Sequence, residues 1–374
     1  LACVGLARYA RRGQIDADER HPVLTPDGWT IWLHRFRPAV QKHDVPVILG
    51  HGLMMNRWCW SLSPGGSLPR ALADRGHDVW VAEYRGSGMS RPPTGTPMRW
   101  SFEDHVQQDV PALIDAVRTR TSRPGVHWVG HSMGGMVAYL HTGRRKLDSG
   151  VERLVTIGSP VQFGHVRRIM GPLGHPARRL LRSIGIVPVR PLLFLGLPFV
   201  ALVPQVALRI SGASEHLSLQ ERLALTSLAF EDSSSDLCAF FMDRWLRNEG
   251  LCAADELVGS RSGFAEIDVP TLVVAGQKDV LAPPSAVKPA FDETEGIPAA
   301  YRLFGDPEAA PQDAGPALGH ADLISGTVAV QHVLPLIAEW LETPEPQAVC
   351  TPTRANDAPL TLVAPATDAA ALEP

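Results

Sequence analysis

The sequence has few cysteines for its length, and they show no pattern. Five cysteines are spread over 374 residues, at positions 3, 59, 238, 252 and 350, and no two of them form a C-x-x-C pair. The odd count and the wide spacing argue against a zinc site and against a disulfide framework. One bridge, between Cys238 and Cys252, is conceivable, but reduced thiols are the default expectation.

An excess of positive charge is also missing. The chain has 35 Lys and Arg against 39 Asp and Glu, which gives a formal net charge of −4. Nothing overall would attract nucleic acid, so no nucleic-acid partner is expected. The composition is 45% hydrophobic and 20% charged, as in a soluble globular protein with a sizeable core.

The sequence lacks a long unbroken apolar run. Residues 191 to 208, "PLLFLGLPFVALVPQVAL", carry no charge and reach the lower limit of a membrane span. Pro191, Pro198, Pro204 and Gly196 are expected to interrupt any single helix, so we favour an acyl-sized pocket lined by this segment. The arginines before it leave peripheral membrane contact through this region open. Without a complete signal peptide, a cytoplasmic location is the default expectation.

Strand-like and helix-like segments alternate along much of the chain. Apolar strands are predicted at 29–36, 45–50, 77–84, 126–129, 151–159 and 269–276. Strands that are apolar throughout and separated by helices indicate a mostly parallel sheet with helices on both faces, an α/β fold. Between them, the capping-box spacing of Ser101 and Asp104 and an apolar period of 3.6 residues predict a helix over 101–121, in which Pro111 starts the regular part or kinks it.

The alternation stops after Ser159 and resumes near Ile267. The intervening segment shows only helical patterns and is predicted to be an all-helical cap over the carboxyl edge of the sheet. The predicted organisation is a core of residues 1–159 and 268–342, a cap of residues 160–267, and a disordered tail of residues 343–374 rich in Pro, Ala and Thr.

The stretch "VHWVGHSMGGMVAYL", residues 126–140, reads as a buried strand, a very tight turn and a helix. Only five residues reverse the chain, and the glycines among them let strand and helix pass closely. Ser132 lies at the centre of this turn. The pattern predicts a nucleophile elbow that exposes the Ser132 hydroxyl.

A serine hydroxyl needs a base and an acid to become a nucleophile near pH 7. His320, in "GPALGHADLISG" after the last predicted strand, is the predicted base, and Asp279, just past the strand 269–276, is the predicted acid. Asp322 is too close to His320 along the chain to reach round the ring. Asp306 and Asp313 lie in a loop with no predicted strand before it.

The loop "HGLMMN" that follows the strand 45–50 is predicted to provide half of an oxyanion hole. The backbone N–H groups of Leu53 and Met133 would bind a developing oxyanion, and removing one such donor typically lowers the rate about 10²- to 10³-fold. His51 and His131 are expected to be structural.

Together the segments "ILGHGLMMNRWCW", "VWVAEYRGSGMSRP", "WVGHSMGGMVAYL", "LVVAGQKDVLAPP" and "GHADLISG" resemble the α/β-hydrolase superfamily over residues 29–342. They are most similar to its acid lipases and polyhydroxyalkanoate synthase-like proteins. The resemblance implies the α/β-hydrolase fold, the triad of Ser132, Asp279 and His320, and Leu53 and Met133 as oxyanion donors. The polymer synthases carry Cys at the nucleophile, and dehalogenases and epoxide hydrolases carry Asp, whereas this chain has Ser.

We therefore expect a carboxylic ester hydrolase that acts through an acyl-enzyme on an ester or lipid with a medium or long acyl chain. An acyltransferase with the same triad and a non-catalytic binding protein are the alternatives. No metal-ligand spacing is present, and "YRGSGMS" reads as a tight turn, not a nucleotide loop, so no metal and no cofactor are expected. The sequence does not indicate an oligomeric state.

Overall fold

An eight-stranded sheet organises the chain. The computed structural model describes residues 2–12, 14–164, 181, 184–202, 216–247, 249–251, 267–294, 297–309 and 314–343. The strands of the described residues are β1 (Glu19–Leu24), β2 (Thr30–Phe36), β3 (Val47–Gly50), β4 (Val79–Glu83), β5 (Val126–His131), β6 (Val151–Ile157), β7 (Ile186–Val187), β8 (Ser233–Ser234), β9 (Thr271–Gly276) and β10 (Ala299–Phe304). All of them except β7 and β8 belong to the eight-stranded sheet.

The order of strands in this sheet is β1-β2-β4-β3-β5-β6-β9-β10. The pairs β1/β2 and β2/β4 are antiparallel, and every following pair is parallel. Six neighbouring strands therefore end at the same edge, where loops following β3, β5, β6, β9 and β10 can meet. The predicted α/β fold with a mostly parallel sheet is confirmed.

Helices cover both faces of the sheet. Their bounds are α1 (Ala2–Ala10), α2 (Leu68–Asp74), α3 (Phe102–Asp104), α4 (Val110–Thr121), α5 (Met133–Arg145), α6 (Val189–Leu202), α7 (Leu219–Ala224), α8 (Ser235–Arg247), α9 (Pro284–Val287), α10 (Pro289–Asp292), α11 (Gly326–Val328) and α12 (Leu334–Glu342). A π-helical turn at His105–Asp109 precedes α4, a second at Leu225–Ala229 follows α7, and a third at Ala329–Val333 precedes α12. Short 3₁₀ turns are Arg57–Trp60, Pro64–Gly66 and Lys146–Ser149.

The apolar core has two halves, because successive residues of a strand point to opposite faces. Ile48 of β3 packs into the half that contains the apolar face of α4 and α5, whereas Leu49 packs into the half that contains α2 and α12. Burial on both faces explains why the central strands are apolar throughout.

The six predicted strands are present, as β2, β3, β4, β5, β6 and β9. Two outer strands, β1 and β10, were not predicted from the sequence. Both lie at the ends of the sheet and are only partly buried, so their polar residues hide the strand pattern. One consequence is a correction: Asp306 does follow a strand, since β10 ends at Phe304.

The predicted helix over 101–121 is built from three pieces. Ser101 caps α3 in a reciprocal capping box with Asp104, as expected. A π-helical turn then leads into α4, and Pro111 is the second residue of α4. Because proline has no backbone N–H, it cannot donate to a carbonyl of the preceding turn, and the change from π-helical to α-helical structure occurs at Val110, next to Pro111.

The region predicted as the cap differs from expectation in two respects. It is not all-helical, because β7 and β8 form a small antiparallel ladder. Helix α6 also continues through Pro191, Gly196 and Pro198 up to Leu202, so these residues do not interrupt it; Pro204 lies outside the described residues. No helix in the described part of the chain is long and apolar enough to cross a membrane.

Several expectations fall outside the described ranges. These are residues 165–180, 182–183, 203–215, 248 and 252–266 of the predicted cap, the predicted tail from residue 344 onward, and the cysteines at 252 and 350. Cys3, Cys59 and Cys238 are free thiols.

Candidate active site

Ser132 occupies the turn between β5 and α5 in a strained conformation. Its φ is 52° and its ψ is −118°, a region that residues with a side chain rarely adopt. The Ser132 N–H donates to the Ile157 carbonyl at 2.9 Å, and the Ser132 carbonyl accepts from Gly135 N–H and Met136 N–H at 3.1 Å each. These three bonds hold the turn between β6 and the start of α5, and they leave the partly exposed side chain at the carboxyl edge of the sheet.

Two glycines make this turn possible by letting backbones approach closely. A Cβ at Gly130 would lie 2.4 Å from the Gly134 carbonyl group, and a Cβ at Gly134 would lie 2.2 Å from the Gly50 carbonyl oxygen. Any side chain there would push α5 away from β3 and β5. The sequence prediction of a tight, glycine-dependent elbow matches this geometry.

Asp279 and His320 form a buried hydrogen-bonded pair. His320 Nδ1 lies 2.7 Å from Asp279 Oδ2. Because a carboxylate can only accept, Nδ1 carries the proton and donates, which leaves Nε2 with a lone pair. The other carboxylate oxygen, Oδ1, accepts from the backbone N–H groups of Leu281 at 2.9 Å and Ala282 at 2.7 Å. Asp279 is thus fixed from both sides, as an orienting acid must be.

Gly158 provides the space for this pair, and the sequence analysis did not single it out. It follows β6 with a φ of +55°, and a Cβ there would lie 3.2 Å from Asp279 Oδ2 and 3.3 Å from His320 Nδ1. The sequence signal for this role was a glycine directly after β6, the strand that pairs with β5.

The rival acids bind elsewhere. Asp322 Oδ2 accepts from Gly319 N–H at 2.9 Å, so it shapes the loop that carries His320. Asp306 Oδ1 accepts from Glu308 N–H at 2.9 Å. Asp313 lies outside the described residues.

Ser132 and His320 lie at the same sheet edge, but the hydrogen bonds of the described residues do not include one between the Ser132 hydroxyl and the His320 ring. His131, the residue before Ser132, contacts His320, with its ring centroid 4.5 Å from that of His320. In ligand-free enzymes the bond from nucleophile to base is often long and tightens when substrate binds.

The loop after β3 lies directly against the elbow. A Cβ at Gly52 would be 3.2 Å from both Ser132 Cβ and His131 Nδ1. Leu53, the next residue, is therefore near Ser132, and Met133 is the first residue of α5, where backbone N–H groups have no partner within the helix. Both residues therefore lie beside Ser132, and their role as oxyanion donors stays a prediction.

His51 has a structural role in this loop. Its Nδ1 donates to the Gly52 carbonyl at 2.9 Å, and its Nε2 accepts from the Tyr84 N–H at 3.4 Å. Complete burial lowers the pKa of His51 to about 4, so the ring stays neutral near pH 7. This agrees with the expectation that His51 shapes the loop.

Asn56 joins the loop to the region predicted as the cap, a role that the sequence analysis missed. Its side-chain amide donates to the Leu228 carbonyl at 2.8 Å and to Glu231 Oε1 at 2.7 Å. Its backbone N–H donates to the Ala229 carbonyl at 2.9 Å, and the Glu231 N–H donates to the Met54 carbonyl at 2.8 Å. Residues 228–231 are thus attached to the segment that precedes the 3₁₀ turn at 57–60.

Comparison with known proteins identifies the fold. A family model described as the alpha/beta hydrolase fold matches residues 45–176. A hydrolase structure from Pseudomonas aeruginosa PA01 superposes with a TM-score of 0.55 and 18% identity, covering 88% of this chain and 100% of that one. The chain has the α/β-hydrolase fold.

Within the α/β-hydrolases, two curated relatives are lipases. Triacylglycerol lipase 2 of Arabidopsis thaliana is 27% identical over 169 residues, which cover 41% of this chain and 40% of the relative. Gastric triacylglycerol lipase of Mus musculus is 31% identical over 135 residues, which cover 33% of this chain and 34% of the relative. The chain spans less than half the length of these relatives. Over these aligned residues the predicted resemblance to lipases is confirmed.

Proposed function

We propose that this α/β-hydrolase is a carboxylic ester hydrolase with Ser132 as nucleophile, His320 as base and Asp279 as orienting acid. The observation that carries the proposal is the buried bond of 2.7 Å between His320 and Asp279 at the sheet edge where the strained Ser132 turn ends β5. The order Ser132, Asp279, His320 along the chain is that of the elbow fold.

The proposed reaction has two halves. The Ser132 oxygen attacks the ester carbonyl carbon while its proton moves to His320 Nε2, and the carbonyl oxygen becomes an oxyanion that Leu53 and Met133 N–H groups bind. The bond to the alcohol then breaks, and His320 gives its proton to the leaving oxygen. Water repeats the attack on the acyl-enzyme, which releases the carboxylic acid and restores Ser132.

The proposed substrate is an ester with an apolar acyl chain of medium or long length. Support comes from the curated relatives, which are named triacylglycerol lipases. The segment 160–267 is proposed to act as a cap, because residues 228–231 already bind the loop that carries Leu53.

A series of p-nitrophenyl esters from acetyl to palmitoyl tests the activity and the chain-length preference together. Ser132→Ala is expected to lower kcat by about 10⁴-fold or more. Ser122→Ala is a matched control, because Ser122 also has a positive φ, of 54°, but ends α4 away from the site. Unchanged turnover in Ser132→Ala contradicts the assignment, and a preference for acetyl over octanoyl contradicts the apolar acyl site.

Acyl transfer to an alcohol remains the alternative reaction, since it uses the same acyl-enzyme. Adding an alcohol acceptor and measuring both products distinguishes hydrolysis from acyl transfer. A hydrolase gives mainly free acid, whereas a transferase gives mainly the new ester. A binding protein without activity would turn over none of the esters.

Contact with a lipid surface is a second proposal, favoured by the exposure of α6. Leu192 and Leu195 are 66% and 71% exposed, so they do not line a closed acyl pocket as the sequence analysis favoured. Helix α1 packs beside α6 and adds the exposed Val4. Exposed arginines lie in α1 and the turn after it, at positions 8, 11 and 12, and in α6, at position 190, which favours a surface of anionic lipid.

Flotation with vesicles of phosphatidylglycerol and of phosphatidylcholine tests this contact. The protein is expected to float with the anionic vesicles, and the double variant Leu192→Ser/Leu195→Ser should lose most of that binding. Leu147→Ser is the control, because Leu147 is 88% exposed in a different element. If the protein floats with neither type of vesicle, the proposal is contradicted.

A further inference from the structure

Three side chains that are distant in the sequence meet at the opposite end of the sheet from Ser132. His43 precedes β3, His77 precedes β4, and Glu342 is the last residue of α12. The amino ends of β3 and β4 lie together because these strands are parallel neighbours. Each of the three residues offers one ligand atom, and these atoms all lie within 4.8 Å of one another.

The backbone holds the two histidines in place. The backbone N–H groups of Lys42 and His43 both donate to the Gly76 carbonyl, at 3.0 and 3.4 Å. Gly76 has a φ of +106°, and a Cβ there would lie 2.7 Å from Lys42 Cβ, so a glycine is needed for the two loops to touch. The result is a pair of imidazole rings with centroids 4.0 Å apart.

Both rings direct Nε2 toward the same carboxylate oxygen. His77 Nε2 lies 3.3 Å from Glu342 Oε1, and His43 Nε2 lies 3.8 Å from that atom. Around a tetrahedral zinc ion with bonds of about 2.0 to 2.1 Å, neighbouring ligand atoms are about 3.3 Å apart. The two distances to Glu342 Oε1 are therefore close to the spacing in a zinc shell, and two imidazoles with one carboxylate are donors that zinc accepts.

We propose that His43, His77 and Glu342 form a Zn²⁺ site, with water as the fourth ligand. Because the rings are nearly parallel, at 13°, one ring must turn so that both lone pairs point at the ion. His43 can do so, since its side chain is 29% exposed, whereas His77 is buried. The proposed zinc site is separate from the proposed active site and does not depend on the proposed ester hydrolysis.

Arg75 is the competitor for this site. Its guanidinium donates to Glu342 Oε1 at 2.9 Å and to Oε2 at 2.8 Å. A zinc ion must share the carboxylate with this cation or displace it, and Arg75 is 45% exposed and therefore able to turn away. Neutralising Arg75 should strengthen zinc binding, which distinguishes a metal site from a salt bridge that only stabilises the fold.

The ion would fasten the end of α12 to the loops before β3 and β4. These contacts already exist through Arg75 and His77, so zinc would act as a stabilising clamp and not as a catalytic metal. Binding to the folded state alone raises the apparent stability, and the thermal midpoint should rise with zinc concentration.

The test uses the full chain after treatment with EDTA and desalting, titrated with ZnCl₂ by calorimetry. One equivalent should bind to the wild type, and His43→Ala and Glu342→Gln should each weaken that binding by more than tenfold. His332→Ala is the matched control, because His332 is an exposed histidine in the π-helical turn before α12 and is not a member of the cluster. Arg75→Gln should bind zinc several-fold more tightly than the wild type.

The thermal midpoint of unfolding provides a second test that is independent of the calorimetric titration. Zinc should raise it in the wild type and in Arg75→Gln, but not in His43→Ala. The proposal is overturned by an absence of saturable binding, by equal binding in His43→Ala and the wild type, or by weaker binding in Arg75→Gln.

Discussion

His131 Nε2 donates a hydrogen bond to the His320 backbone carbonyl at 3.1 Å. A carbonyl can only accept, so Nε2 carries the proton of this ring. His131 is fully buried, and this burial, with the nearby His320, holds the pKa of His131 well below its usual value. A neutral donor next to the proposed nucleophile thus fixes the loop that carries the proposed base.

This relationship makes His131 a positioning residue in the proposed mechanism. His131→Phe keeps a ring against His320 but leaves the carbonyl without its donor, at a cost of about 1 to 3 kcal/mol. We expect kcat to fall about tenfold or more while KM changes little, because the substrate does not touch this bond. His131→Gln, which retains an N–H donor, should recover part of the loss. Equal kcat values for His131→Phe and the wild type would contradict this role.

Asp279 should be essential for the tautomer of His320. Asp279→Asn keeps the shape of the side chain but removes the negative charge, and the amide can turn its NH₂ toward His320 Nδ1, which favours the wrong tautomer. We expect kcat to fall about 10³- to 10⁴-fold on p-nitrophenyl octanoate. Asp306→Asn, which changes the acid that follows β10, should retain full activity. A loss confined to Asp306→Asn would reverse the assignment of the acid.

Gly158 should be intolerant of any side chain. Gly158→Ala places a Cβ against both partners of the pair, at 3.2 Å from Asp279 Oδ2 and 3.3 Å from His320 Nδ1, and adds the strain of a φ of +55°. Gly95→Ala imposes similar strain, with a φ of +84°, but meets no atom within 4 Å. Both variants should lose some thermal stability, and only Gly158→Ala should lose kcat, by tenfold or more. Parallel losses of activity would mean that strain alone is responsible.

The sequence indicated those parts of the molecule that depend on local patterns. The strand, turn and helix around Ser132 were predictable because their apolar periods and glycines are all local. The position of Asp279 at the sheet edge was predictable because it lies in the loop after β9, a strand that is buried on both faces. Outer strands gave no such signal, since β1 and β10 are partly exposed and mix polar with apolar residues.

Contacts between distant segments could not be predicted from one sequence. The bonds from Asn56 to Leu228 and Glu231 join positions more than 170 residues apart. No spacing rule relates His43 and His77 to Glu342, so the proximity of these three side chains could not be predicted from the sequence. Helix α6 shows a third limit, because Pro198 removes one backbone hydrogen bond without ending a helix that packs against α1.

His141 should make the folded state sensitive to acid. This residue of α5 is 2% exposed, and its burial lowers its pKa from 6.5 to about 4, while Nε2 donates to the Ser149 carbonyl at 3.0 Å. Between pH 6.5 and 4 the unfolded chain binds a proton that the folded chain does not, so stability is full above pH 6.5 and falls as the pH decreases.

The contribution of His141 to this loss is about 2 kcal/mol between pH 7 and pH 5, since each pKa unit corresponds to about 1.4 kcal/mol. His141→Gln keeps a neutral donor for Ser149, so the difference in the free energy of unfolding between these two pH values should shrink by that amount. Urea unfolding at both pH values measures it. His332→Gln, at an exposed position, should leave the difference unchanged, and an equal effect of the two substitutions would show that the burial of His141 is not the cause.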